Sequence, residues 1–165
     1  MWNRLKRVFG SSPKESLFLT VHKSDEEMLR AYKAAEATIE HLISFINSDD
    51  DAIRCVKLRF KDPALSEKLG EDRFVFLWLA NVQVELDGMF VATFFETPAE
   101  LRSWYRPGED VRFRREDIFD WFVNKHGQMY GGFTMLVQRA RLPEAERGSF
   151  DEYTGVRQWM DLKAH

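Results

Sequence analysis

The residues best suited to chemistry fall in one stretch, between Arg114 and Thr134. Asp117 and Asp120 stand beside Trp121, and His126 follows just before Gly127. Two carboxylates and an imidazole can share general acid and base work, and a carboxylate held against an apolar ring has its pKa raised toward neutrality. A hydrolase-like enzyme using Asp117, Asp120 and His126 is therefore one reading. The structural alternative has Asp117 capping a turn, Asp120 accepting from nearby backbone amides, Trp121 in the core and His126 exposed in a hairpin loop. That alternative is preferred, so an enzyme is less expected than a binding protein. Gly131-Gly132 could form a backbone nest for an anion, with Thr134 as an added donor. The pair lacks the sequence of a P-loop or a dinucleotide fingerprint, and glycine more simply supplies positive φ or a bulge there. Arg114, Asp117, Asp120, Trp121, His126, Gly131, Gly132 and Thr134 are the candidate ligand-binding residues.

Other chemistries find little support. Arg102, Arg106, Arg112, Arg114 and Arg115 are interleaved with Trp104, Tyr105 and Phe113, a mixture that holds single-stranded nucleic acid in some proteins. Glu109, Asp110, Glu116 and Asp117 neutralise that cluster, and the whole chain carries a net charge of −3. A solvated face with ion pairs is expected, with no nucleic-acid partner. Cys55 is the single cysteine, so no internal disulfide can form, and no Cys/His spacing suits a metal. No cofactor motif is present. The expected setting is the cytoplasm.

The elements that must position these residues can be read from periodicity. The chain has 165 residues, 44% hydrophobic and 31% charged, about one domain's worth. Ser24-Asp25-Glu26-Glu27 reads as a helix start, with Ser24 as the cap. Met28, Tyr32, Ala35, Ile39, Leu42 and Ile46 then recur at helical spacing as one long stripe. Val56, Leu58 and Phe60 alternate with Cys55, Lys57 and Arg59, the pattern of a strand with one wet face. Phe74 to Leu79 is a continuous apolar run, Asp87-Gly88 a hairpin turn, and Phe90 to Phe95 the returning strand. Pro98 to Gly108 reads as a loop. Val111 and Phe113 begin a further strand, and Ile118 to Val123 with Gln128 to Tyr130 forms a second hairpin around His126-Gly127. Phe133 to Leu142 is either strand or helix. The expectation is an α+β fold, one long N-terminal helix on a curled antiparallel sheet of five or six strands, with a small, partly open barrel as the alternative form of that sheet.

Residues 1–22 form a basic N-terminal segment, 23–142 a single α+β domain, and 143–165 a C-terminal arm docked on it. Trp2, Arg4, Lys6 and Arg7 make the first segment amphipathic and basic, which would allow weak peripheral contact with an anionic membrane. Aromatic residues are 14% of the chain: 14 Phe, 5 Trp and 4 Tyr. Most fit strand patterns as core, while Trp2, Trp104, Tyr105, Phe150, Tyr153 and Trp159 do not and are candidates for contact with a partner.

The chain also resembles the YegJ-like family of bacterial domains of unknown function. The resemblance is carried by Ser24-Asp25-Glu26-Glu27-Met28, Val56-Lys57-Leu58-Arg59-Phe60, Phe76-Leu77-Trp78-Leu79, Ile118-Phe119-Asp120-Trp121 and Met129-Tyr130-Gly131-Gly132-Phe133-Thr134. It covers roughly residues 24 to 140. It implies a bacterial origin and a compact α+β domain, and no reaction. Residues and resemblance together suggest a non-catalytic module with an aromatic-lined groove near Trp121, Gly131 and Gly132 for a protein segment or small ligand.

Overall fold

The computed structural model describes residues 25–48 and 50–162. The basic segment with Trp2, Arg4, Lys6 and Arg7 lies outside the described residues.

The apolar stripe from Met28 to Ile46 forms two helices, α1 (Glu26–Ala37) and α2 (Ile39–Ile46). The expected single helix breaks at Thr38. There the carbonyl of Ala35 accepts from the Thr38 amide at 3.3 Å, the Thr38 hydroxyl at 3.3 Å and the indole Nε1 of Trp121 at 3.1 Å. The Thr38 hydroxyl also donates to Ala34 O at 2.7 Å. A β-branched residue whose hydroxyl bonds back to the preceding turn favours such a bend. The α1 cap is Asp25, one residue after the expected Ser24, and its carboxylate accepts from the Met28 amide.

Next come β1 (Ile53–Lys61), α3 (Pro63–Leu69), β2 (Phe74–Val84), β3 (Phe90–Phe94), β4 (Asp110–Phe113), β5 (Ile118–Lys125) and β6 (Gln128–Gly131). The chain ends with α4 (Phe133–Arg141), α5 (Glu144–Thr154) and β7 (Gln158–Trp159). Helix α3 was not expected. Pro63 at its first turn, Asp62 accepting from the Leu65 amide and Gly70 in the left-handed region supply its start and stop. The open alternative at residues 133–142 resolves to helix.

All seven strands lie in one sheet, in the order β4-β3-β2-β1-β5-β6-β7. The sheet is mixed and open, where a curled antiparallel sheet of five or six strands was expected. The short β7 adds the seventh strand and runs parallel to β6. Strands β4 and β7 are the two edges, so the sheet does not close into a barrel.

Helices cover both faces, which corrects the expectation of one wet face. Ala35, Ile39 and Leu42 pack with Val56, Leu58, Leu77, Leu79, Trp121 and Val123 on the first face. On the second, Met135 and Val156, with Phe150 and Trp159, pack with Cys55, Trp78, Ala80 and Phe122. A β-bulge decides how β5 divides between them. The register of β1 on β5 shifts between Lys57 and Leu58, which pair with Asp120 and Ile118, and Phe119 is the extra residue. The bulge sends Ile118 to the first face and Asp120 to the second, although alternation would keep them together.

Candidate functional site

Asp120 lies in a strand otherwise rich in apolar residues and is fully buried. A carboxylate there is stable only if its oxygens are satisfied. Its Oδ1 accepts from the amides of Trp121 at 2.8 Å and Phe133 at 3.2 Å. Its Oδ2 accepts from the Thr134 amide at 2.8 Å and the Thr134 hydroxyl at 2.5 Å. Two of these donors are first-turn amides of α4, whose N-cap is Gly132 and offers no side-chain acceptor. Asp120 thus caps α4 from the neighbouring strand, placing negative charge at the positive end of the helix.

Lys57 completes the cluster. It pairs with Asp120 across β1 and β5, is 3% exposed, and donates from Nζ to the Thr134 hydroxyl oxygen at 3.1 Å. Its ammonium also lies 5.8 Å and 5.5 Å from the ring centres of Phe76 and Trp78. Burial pushes the Asp120 carboxyl up, opposed by Lys57 and by the bonds from Thr134 and Trp121. Burial pushes the Lys57 ammonium down to about 8, against the pull of Asp120. The Tyr32 ring packs on Phe76 and Phe119, and its buried hydroxyl has no partner among the described residues. Burial raises the Tyr32 pKa, and the Asp120 charge raises it further.

The cluster sets a pH dependence. A lysine in the unfolded chain titrates near 10.4. Between about 8 and about 10 the unfolded chain therefore holds more protons at Lys57 than the folded one, so stability rises with pH across that window. The urea midpoint of the native protein should climb relative to Lys57→Met from pH 8 to about pH 10. A constant difference would show that Lys57 stays charged throughout.

Asp120, Trp121, Gly131, Gly132 and Thr134 come together in this buried region. Trp121 is fully buried, and its carbonyl accepts from the Gly132 amide at 2.7 Å. Gly131 and Gly132 have φ of 73° and 68° where the chain leaves β6 for α4. The other three candidates lie elsewhere. Asp117 and Arg114 pair with each other at the surface, the Asp117 carboxylate also accepting from the Arg114 amide at 2.8 Å. Burial works to raise the Asp117 pKa, and the Arg114 amide and guanidinium outweigh it, holding the carboxyl below its usual range. His126 is at the far end of β5, exposed, with Nε2 3.3 Å from Asp51. Asp117, Asp120 and His126 share no concavity. Among the described residues no group of His, Cys, Asp or Glu is placed to hold a metal ion. Cys55 is buried, and its thiol is pushed up by that burial.

The sequence reading missed Lys57 and Tyr32. An acid inside Ile118-Phe119-Asp120-Trp121-Phe122-Val123 needs a basic or hydrogen-bonding partner, a signal that could have pointed to a lysine on an adjacent strand. Tyr32 reads only as one more apolar position of the helix.

A groove of about 490 Å³ opens beside the buried cluster, between α1 and the start of β5. Leu29, Tyr32, Ile39, Ile118 and Phe119 form its apolar wall, and Lys33, Glu36, Arg115 and Glu116 line its rim. Leu29 is 42% exposed. The arginine run is largely committed: Arg112 bonds Glu85 and Asp87, and Arg115 bonds Glu40 across the chain.

Comparison with known proteins places these observations. Residues 25–157 match the profile of the family described as "Uncharacterized protein conserved in bacteria (DUF2314)". The span includes α5, so it runs beyond the extent inferred from the motifs. The chain is 26% identical over 151 residues to the "Putative ankyrin repeat protein NMB1133/NMB1171" of Neisseria meningitidis serogroup B, covering 86% of this chain and 56% of that protein. It is 25% identical over 137 residues to the "Uncharacterized protein YegJ" of Escherichia coli K12, covering 83% of each. The chain thus spans little more than half the length of the first of these relatives. No solved structure matches.

Proposed function

The chain belongs to the DUF2314 family of uncharacterised bacterial proteins, and from that premise we propose that it is a non-catalytic binding module. It takes an extended segment of another protein in the groove between α1 and β5. The groove itself carries this reading, because Leu29 is exposed and Tyr32 and Phe119 are half-buried within a ring of charges of both signs. That is the usual anatomy of a small protein interface, an apolar centre with a polar rim. The balanced rim suits a segment whose apolar anchors are flanked by both basic and acidic residues. A reducing, cytoplasmic setting accords with the single buried Cys55. Among the described residues no helix is long and apolar enough to cross a membrane.

The test uses random peptides displayed on phage and selected on the full chain. Selection should enrich sequences with apolar anchors, and synthetic copies should bind Leu29→Glu about tenfold or more weakly, the loss of one well-buried apolar anchor. Leu86→Glu, on the exposed turn between β2 and β3, serves as the control and should bind like the native chain. No enrichment, or equal binding by Leu29→Glu, would remove the groove as the site.

A further inference from the structure

A cavity of about 650 Å³ lies at the other end of β5, between the β5–β6 hairpin tip and the last turn of α5. From the arrangement of charge on its walls we propose that this cavity binds a small zwitterion of the amino-acid or dipeptide class.

Glu152 and Arg157 both line the cavity. Neither side chain has a hydrogen bond or ion pair among the described residues. Arginines 54, 73, 112, 114, 115, 139 and 141 each meet a carboxylate, whereas Arg157 is among those that meet none among the described residues. Two unlike charges that face one cavity without meeting leave room for a molecule carrying the complementary pair. The Arg157 side chain lies against the hairpin tip. Its amide donates to Gly127 O at 2.8 Å, and its Cγ would lie 2.8 Å from a Cβ at position 127. Gly127 is therefore the residue that lets the guanidinium stem lie across the hairpin tip.

The opposite wall has the reverse polarity. Glu152 lies in the last turn of α5, where the helix carbonyls carry partial negative charge and favour a cation. Asp151, also on this wall, is already engaged by Arg139 and the Trp159 indole. Glu152 is thus the acid left to receive an ammonium. His126 stands on the hairpin side with Arg157, where its imidazole can assist a carboxylate when it is released from Asp51. Gly148 leaves the wall of α5 bare: a Cβ there would meet nothing within 4 Å. Glycine inside a helix costs about 1 kcal/mol relative to alanine. No packing contact requires Gly148, and its lack of a side chain widens the cavity.

The ammonium of the ligand is therefore placed against Glu152 and the end of α5, and its carboxylate against Arg157. The site lies the length of β5 from the groove proposed above, so either can fail without the other.

Amide chemical shifts of the full chain, followed during titration with the standard amino acids and with alanyl-alanine, read this directly. The expected result is saturable movement of the Gly127, Gly148 and Gly155 signals by at least one of these probes. Affinity should fall about tenfold or more in Glu152→Gln and in Arg157→Gln, the loss of one charge-assisted contact. N-acetylated and amidated forms of the same probe should each bind at least as weakly, since each lacks one charge. Absence of saturable shifts up to about 10 mM would overturn the proposal, that being the weakest binding worth calling a site. So would equal binding by either variant or either blocked probe.

Discussion

Replacing Asp120 with alanine should lower the unfolding free energy by about 3–5 kcal/mol, the usual effect of leaving a buried charge without the opposite charge that offsets its burial. Three consequences add. The Lys57 ammonium, 3% exposed, loses the charge that opposes its burial. The amides of Phe133 and Thr134 lose the acceptor that caps α4. The Thr134 hydroxyl keeps only its contact with Lys57. A typical domain is stable by about 5–15 kcal/mol, so the variant should be near its unfolding transition at growth temperature. Urea denaturation measures the loss. A companion experiment separates charge from capping. Asp120→Asn keeps an acceptor for the α4 amides, and combining it with Lys57→Met removes both charges. The double variant should regain most of what Asp120→Asn alone loses, because replacing two buried opposite charges together with neutral groups is often nearly neutral. A loss below about 1 kcal/mol in Asp120→Ala would mean that this network holds neither the helix nor the lysine.

Gly131→Ala should cost about 3 kcal/mol or more, combining a left-handed backbone with a steric clash. A Cβ at Gly131 would lie 2.3 Å from the Trp121 carbonyl oxygen and 2.9 Å from the Trp121 ring. That carbonyl cannot easily retreat, because it is bonded to the Gly132 amide, and the indole is bonded to Ala35 in α1. Gly132→Ala is the matched comparison. Its φ of 68° is similar, yet the nearest atoms to a new Cβ lie at 3.4 Å and beyond. It should therefore cost only the backbone penalty, about 1–2 kcal/mol. Thermal or urea unfolding of the two variants decides the matter. Equal losses would show that the Trp121 carbonyl yields and that the close approach is not what demands glycine.

These two residues show how the sequence and the fold divided the work. Val56, Leu58, Leu77, Leu79 and Trp121 are core by their pattern, and they are core in the structure. The hairpins around Asp87-Gly88 and His126-Gly127 are local events, written in turn residues, and they form where those residues stand. Phe150 and Trp159, which fit no strand or helix period, pack on the second face. Tyr105 is likewise engaged, its hydroxyl donating to Lys61 O at 2.6 Å. Trp104 and Tyr153 remain 46% and 47% exposed.

The α+β class, the strand cores, both hairpin turns and the positive φ of Gly131 and Gly132 can be read from the sequence, because each depends on neighbours along the chain, whereas the crowding that bars a side chain at Gly131 comes from Trp121 on the adjacent strand. The tertiary structure decided the rest. One extra residue at Phe119 turned Asp120 onto the face of Lys57, and where the helix bends at Thr38 the Trp121 indole shares the Ala35 carbonyl with the Thr38 amide and hydroxyl. The same folding covered the face that alternation left wet. A bulge, a shared carbonyl and two buried charges joined through the Thr134 hydroxyl are relations between distant segments, and hydrophobic period carries no record of them.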